Sequence, residues 1–577
     1  MASSRAVEAP AALALALAIL PWTTNDFVAY QVALFLIYGI ATQGVALCWG
    51  RLGFLPLGHA LFFGFGAYLF GGALKAAQTQ TLWLLALPLA LALPAALAYV
   101  VARLVFARSF SSGPYFSLIT LAMTMLGALA AQQWSGVTGG FNGMANIPEL
   151  PFTERYSTLY WSIAACAVAS TGALALLVRS PLGVLWSAVA QNEDRLQLFG
   201  YATDRLKAAA YALSALLAAL GGALFAVHQG IVTPQALGFV LSTEFVIWAA
   251  VGGKGSALGA LLGAVFVGYA SAELRDRFAS WEVVVGLLFI AVVRFLPEGF
   301  AGLAPRRSSV AAGGGASLPA PPVVPAAAPL RLAFEGVHSA QSGVKILDGL
   351  DLAVQGPGIR SVIGPNGAGK TSSFNVLTGR LPLRKGRIVL DGLSIGGQNA
   401  WRVARRGVGR KLQIPSVFAQ LSVQQNLLVA LWAGRLHGAR ALSGSPLRWH
   451  SSLLDELLEQ FPELHERRDT PAGQLSQGQR QALELVMTLL PEPRLVLLDE
   501  PCAGLSPAET QRMIDVIRSA VARIDAAALL IEHDIKAVAA LGGEVFVLHQ
   551  GRRLAQGSLA KVQADPAVRA VYSGGHK

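Results

Sequence analysis

The stretch 364–371 reads Gly364-Pro365-Asn366-Gly367-Ala368-Gly369-Lys370-Thr371, between the apolar residues 359–363 (IRSVI) and the helical text 372–380 (SSFNVLTGR). A strand, a glycine-rich turn and a helix in that order form a phosphate-cradling loop. Glycines let backbone N–H groups approach an anion, and the helix N-terminus adds a favourable dipole. Lys370 supplies a point charge, and the Thr371 hydroxyl is a ligand for Mg²⁺, with Ser372 counted in the same site. Farther along, Leu495-Val496-Leu497-Leu498-Asp499-Glu500 is an apolar strand ending in two carboxylates. Beside the loop, Asp499 would hold Mg²⁺ and Glu500 would orient or deprotonate an attacking water. The reading is an α/β nucleotide-binding domain over 331–577, where apolar strands alternate with amphipathic helices.

The composition demands something else as well. The 577 residues are 54% hydrophobic and only 14% charged, against about 25% charged in ordinary soluble proteins. Ten apolar stretches succeed one another: 10–21, 27–48, 55–74, 82–104, 114–134, 157–178, 207–229, 240–252, 256–272 and 281–297. Several fall below the ~20 residues that a straight membrane span needs. The expectation is a polytopic helical membrane domain of about ten spans over 1–304. The first stretch is read as an uncleaved helix in preference to a signal peptide. The pair around Gly252-Gly253-Lys254-Gly255 reads either as two short helices or as one broken, re-entrant element.

Loop charges orient the chain. With the N-terminus inside, Arg5, Arg51, Arg103, Arg108, Arg179, Arg195, Arg205, Lys207, Lys254 and Arg294 share the cytoplasmic side, while Lys75, Arg155, Arg275 and Arg277 fall outside. That bias returns the chain to the cytoplasm at Arg306-Arg307. Basic residues at helix ends explain much of the formal charge of +12, and no basic block or aromatic-basic stripe points to nucleic acid. Residues 305–330 (PRRSSVAAGGGASLPAPPVVPAAAPL) carry six prolines and no aromatic anchor, and read as a linker. The three cysteines are scattered, without metal or disulfide spacing.

The segment Leu475-Ser476-Gln477-Gly478-Gln479 resembles the signature loop that defines ABC ATPases among phosphate-loop enzymes. By that resemblance Ser476 and Gly478, with Gln479, would contact the γ-phosphate of an ATP held on a partner ATPase domain. Gln413 matches the Q-loop and is implied as a catalytic residue and a ligand of Mg²⁺. Residues 503–506 (AGLS) match the D-loop, and His533 matches the switch histidine. The nucleotide set is thus 364–372 with Ser476, Gly478 and Gln479. The catalytic set is Glu500, His533 and Gln413, and the metal set is Thr371, Gln413 and Asp499. Two departures stand out. Gln341 occupies the usual adenine-stacking position, and Gln477 replaces the commoner glycine. The resemblance implies an ATP hydrolase using ATP and Mg²⁺.

The membrane half carries a resemblance of its own. Residues 50–68 (GRLGFLPLGHALFFGFGAY), 138–143 (TGGFNG) and 251–255 (VGGKG) are similar to permeases for branched-chain amino acids and urea. Residues 179–207, with Asn192-Glu193 and Gly200, resemble the coupling loop of importer permeases, and long exporter-type cytoplasmic helices are lacking. His59 is expected to make a polar contact between helices, not to touch substrate. Residues 409–418 (GRKLQIPSVF) resemble ATPase subunits of the urea-type members. The implied function is the fused permease and ATP-binding subunit of an ABC importer for a branched-chain amino acid or a urea-like amide. The alternatives are an exporter or lipid flippase half, or a membrane-anchored regulatory ATPase. The implied partners are a second permease–ATPase pair, read as a heteromer, an extracytoplasmic solute-binding protein and the lipid bilayer. The implied place is the bacterial cytoplasmic (inner) membrane, with the ATPase in the cytoplasm.

Overall fold

The computed structural model describes residues 4–76, 83–106, 114–151, 153–275, 280–296, 298–303, 316–317, 329–341 and 343–573. The chain forms two compact units, 1–190 with 203–311 and 191–202 with 312–577. Most of the expected linker 305–330 lies outside the described residues; Ala316 and Ser317 pair in parallel with Trp449 and His450.

Each of the ten apolar stretches of the first unit carries a helix among the described residues: Ser4–Thr23, Asp26–Ala46, His59–Ala76, Trp83–Phe106, Pro114–Gln133, Leu159–Arg179, Thr203–Gln229, Phe239–Gly252, Ala257–Arg275 and Trp281–Phe295. Among the described residues six helices are long and apolar enough to cross a membrane. Those of residues 4–23, 59–76, 239–252 and 281–295 do not meet that measure, so length and composition support six candidate spans, not ten. The 252–255 pair is two separate helices turning at Gly253, whose φ of +117° excludes most side chains.

Burial sorts the helices. In Asp26–Arg51 and Thr203–Gln229 the most apolar windows are 83% and 72% buried, whereas in Leu84–Phe106 and Pro114–Gln133 they are 17% and 22%. Helices apolar all round yet buried on one side only place the rest of their surface against lipid or another apolar surface. The central helix Thr203–Gln229 packs against His59–Ala76, Trp83–Phe106 and Asp26–Ala46. Small residues permit the approach: a methyl group on Gly222 would stand 1.8 Å from the Phe63 carbonyl oxygen. His59 does make a polar contact between helices, its Nε2 lying 2.6 Å from Ser214 Oγ.

The second unit is built on two sheets. The antiparallel one runs Val344–Gln355, Arg331–Gln341, Lys385–Leu390, Leu393–Ser394. The other runs Arg552–Gly557, Glu544–His549, Gly358–Ile363, Ala527–Ile531, Leu495–Asp499, Val408–Lys411. Its last five strands are mutually parallel. Leu495–Asp499 and Ala527–Ile531 are buried at every residue, as central parallel strands covered on both faces must be.

Away from the sheets, Asn426 pins an irregular segment. Its buried amide accepts from Phe418 N–H at 2.9 Å and donates to the carbonyls of Phe418, Leu421 and Ser422 at 3.0, 3.3 and 3.0 Å. Asn426→Ala orphans these buried groups. It is expected to lower the stability of the ATPase unit by about 2–3 kcal/mol. The check is the unfolding midpoint of the full chain, and an unchanged midpoint would refute it.

Candidate functional site

Strand order assembles the site. Four neighbouring parallel strands all end on one edge of the sheet, and each leads into a segment that carries an expected site residue. Gly358–Ile363 runs into the phosphate loop, Ala527–Ile531 into Glu532-His533, Leu495–Asp499 into Glu500, and Val408–Lys411 into Leu412-Gln413. Register levels them, with Ile531 opposite Asp499 and Val362, and Leu498 opposite Lys411. The carboxyl edge of an open α/β sheet is where such folds bind ligands.

In the phosphate loop Gly364, Gly367 and Gly369 hold φ of +151°, +79° and +96°, and Gly369 caps the helix Lys370–Leu377. Pro365 accepts from the Ala368 N–H at 3.2 Å, while Asn366 is exposed. Lys370 Nζ folds back on the carbonyls of Gly364 and Pro365 at 2.8 and 3.0 Å, and its pKa is lowered by burial against the pull of Glu500 and Asp499. Thr371 donates to Asp499 Oδ1 at 3.2 Å, and Ser372 follows it on the same half-buried turn. Asp499 is fully buried; burial raises its pKa and the Arg410 guanidinium, 3.9 Å away, opposes this. Its Oδ2 is buried and accepts no hydrogen bond. A hydroxyl beside a carboxylate oxygen with no donor suits a small hard cation such as Mg²⁺.

Glu500 is the point of convergence. Gln413 Nε2 donates to its Oε2 at 3.0 Å, and His533 Nε2 lies 2.7 Å from its Oε1. Its backbone sits at φ +47°, unusual for a residue with a side chain, and its N–H donates to the Ile531 carbonyl at 2.9 Å. The strained turn swings the carboxylate away from the strand toward both partners. Gln413, read from sequence as both catalytic and metal-holding, points its amide to Glu500.

The signature residues are built differently. Ser476 caps the helix Gln477–Leu489, its hydroxyl accepting from Gln479 N–H, while Gln479 Oε1 accepts from Ser476 N–H at 3.1 Å. A methyl group on Gly478 would meet Glu509 Oε1 at 2.8 Å and Leu505 at 3.4 Å. These neighbours belong to the signature and D-loop region, not to the phosphate loop. Gln341 ends its strand exposed, paired with Val344 in the hairpin, and Val344 is the apolar side chain displayed there, 66% exposed.

Residues 191–202, read from sequence as part of a coupling loop, pack within the ATPase unit. Gln191 Oε1 accepts from Gln420 N–H at 2.7 Å, Asn192 donates to Ser416 Oγ at 2.8 Å, and Asp194 meets Arg380 at 2.5 Å. Arg405 donates to the Gly200 carbonyl at 2.8 Å, and Tyr201 Oη to the Val429 carbonyl at 2.9 Å. Arg195 is fully buried, among Arg410, Lys411, Glu484 and Thr488. Burial pushes the Lys411 pKa down against the charge of Glu484, and the Glu484 pKa up against the charges of Arg195 and Lys411. Sequence reading missed this cluster. The available signal was a lone Glu484 between Leu483 and Leu485 and two cations, Arg410-Lys411, closing an apolar strand.

Residues 27–293 match the family model described as branched-chain amino acid transport system / permease component, and residues 347–503 match that of the ABC transporter. The high-affinity branched-chain amino acid transport ATP-binding protein BraF of Pseudomonas aeruginosa is 34% identical over 253 residues, covering 42% of this chain and 97% of the relative. LivG of Escherichia coli K12, of the same description, is 34% identical over 250 residues, again with 42% and 97% covered. Among solved structures, the ADP conformation of an ATP-binding cassette of an ABC transporter aligns at 26% identity and a TM-score of 0.36, covering 42% of this chain and 99% of that one. The phosphate loop, the convergence on Glu500 and the helical unit ahead of them lead to one conclusion: the chain belongs to the branched-chain amino acid family of ABC transporters, with permease and ATP-binding component in a single polypeptide.

Proposed function

We propose that this chain drives uptake of a small polar solute, a branched-chain amino acid or a urea-like amide, across the bacterial cytoplasmic membrane. The observation that carries the ATPase half is the Glu500 carboxylate held between Gln413 and His533. In this reading residues 364–372 cradle the phosphates and Lys370 leaves its loop carbonyls for them. Glu500 takes a proton from the attacking water, and Gln413 and His533 keep its carboxylate aimed. Thr371 and Asp499 would hold Mg²⁺, which supplies charge neutralisation on the phosphates. Ser476, Gly478 and Gln479 reach an ATP bound to a second ATPase domain, a reading supported by Gly478 having Glu509 and Leu505 as its nearest side-chain neighbours.

The partners of this reading are a second permease–ATPase pair, favoured as a different one, and a solute-binding protein outside the membrane. All ten apolar helices cross or enter the bilayer, and the linker 305–330 delivers the ATPase to the cytoplasm, bounded by units 1–304 and 331–577. ATP favours the closed ATPase dimer, and that differential affinity turns the permease. The packing of 191–202 in the ATPase unit supports coupling through this segment.

The test is reconstitution in vesicles with the co-purified partners and binding protein. Leucine or urea entering only with ATP and a loaded binding protein is the expected result. Solute leaving the ATP side without a binding protein would establish the exporter alternative. Turnover indifferent to binding protein, with no flux, would establish the regulatory one.

A further inference from the structure

Arg195 lies on the short helix Glu193–Gln197, and its side chain is fully buried in the ATPase unit. Its NH1 donates to the Arg410 carbonyl at 2.6 Å and its NH2 to Thr488 Oγ1 at 3.1 Å and the Glu484 carbonyl at 3.4 Å. NH1 is also 3.3 Å from Glu484 Oε1, and the guanidinium stacks on Phe199, 4.6 Å from its ring centre. That same Oε1 accepts the backbone N–H of Leu412 at 3.1 Å. The next residue is Gln413, whose amide holds Glu500. One carboxylate oxygen therefore joins the inserted segment to the strand end that aims the catalytic carboxylate.

The other oxygen is left over. Glu484 Oε2 meets no donor at close hydrogen-bond geometry, the backbone N–H of Ser416 steadies the carboxylate's charge, and Lys411 Nζ stands 3.8 Å from Oε2 while donating to the Leu412 carbonyl at 3.2 Å. Among the described residues Arg195 and Lys411 are the two cations within salt-bridge reach of Glu484. A buried carboxylate deprived of its guanidinium cannot stay uncompensated. Lys411 is the group able to close on it, and it is tied to Leu412.

We propose that Glu484 is the relay of coupling and Arg195 its positioning residue. Seated, Arg195 fixes Glu484 so that Oε1 holds Leu412 N–H and Gln413 reaches Glu500. Withdrawn, Arg195 cedes Glu484 to Lys411, the 411–413 segment shifts, and Glu500 loses its donor. This rests on the reading of 191–202 as the coupling segment.

The experiment uses the full chain with its co-purified partners in lipid nanodiscs, comparing R195M, R195K, E484Q, R195M/E484Q and Y201F. Two quantities are read: hydrogen exchange at the Leu412 amide, and kcat and KM for ATP. R195M is expected to speed Leu412 exchange about tenfold and to lower kcat about tenfold, with KM within about twofold. R195K should recover part of both losses, which keeps the test decisive if R195M fails to fold. The double variant should lose no more than the worse single one, since both act on one link. Y201F, which removes the contact of the same segment to the Val429 carbonyl but not this link, should leave Leu412 exchange unchanged. Unaltered Leu412 exchange in R195M and R195K, or losses that multiply in the double variant, would overturn the proposal. Neither readout involves solute flux, so a failure of the uptake reading leaves this test standing.

Discussion

Glu500→Gln lowers ATP turnover by about 10²–10⁴-fold and leaves ATP binding nearly intact. The reason is first of all geometric. A glutamine has the size of the carboxylate and can still meet Gln413 and His533, which stand 3.0 and 2.7 Å from its oxygens. Packing is therefore preserved and the change isolates one property, the capacity to accept a proton. Loss of a positioned general base costs about 10²–10⁴-fold. Lys370, the loop amides and Thr371 are untouched, so affinity for ATP should stay within a few-fold. Phosphate release and nucleotide binding on the full transporter check this directly. Undiminished phosphate release would move the chemistry to another residue.

Gly222→Val is expected to abolish folded permease, the largest structural effect foreseen. The added Cβ would lie 1.8 Å from the Phe63 carbonyl oxygen, 2.7 Å from its carbon and 3.0 Å from Ala67 N. All three atoms are backbone of a helix that cannot yield locally, so the helices must separate along their length. Thr203–Gln229 also contacts Asp26–Ala46 and Trp83–Phe106, and separation disturbs those seams too. Overpacking ordinarily costs about 1–3 kcal/mol, and a clash with backbone should exceed that. Gly72→Ala is the control, since its methyl would first meet the flexible Met144 side chain at 3.4 Å. Monodisperse protein yield in detergent separates the two; equal yields would show that the crossing tolerates a side chain.

The local segments of the candidate site were legible in the sequence wherever spacing alone defines them. The loop 364–371 needs only its own glycines and lysine, and the strand ending in Asp499-Glu500 needs only its apolar run. Those segments now stand side by side because parallel strands end together, which no local pattern states. Every apolar stretch became a helix, yet six rather than ten meet the measure of a span. Hydropathy reports burial without saying whether lipid or protein does the burying. Arg195 was read as one of many cytoplasmic charges. Its burial depends on Glu484, remote in sequence, and charge counting along the chain has no means to pair them.

That remoteness has a temporal side. Arg195 precedes Thr488 by 293 positions. At about 5–20 residues per second, a ribosome needs on the order of 15–60 s to supply the last of the groups that enclose it. Through that interval the segment 191–202 waits in water, already flanked by helices that have left for the membrane. Such a segment must be polar enough to wait without sticking. Asn192, Glu193, Asp194 and Arg195 meet that demand, and an arginine is soluble while alone and specific once enclosed. The residue that locks the ATPase is thus chosen as much for how it behaves before its partners exist.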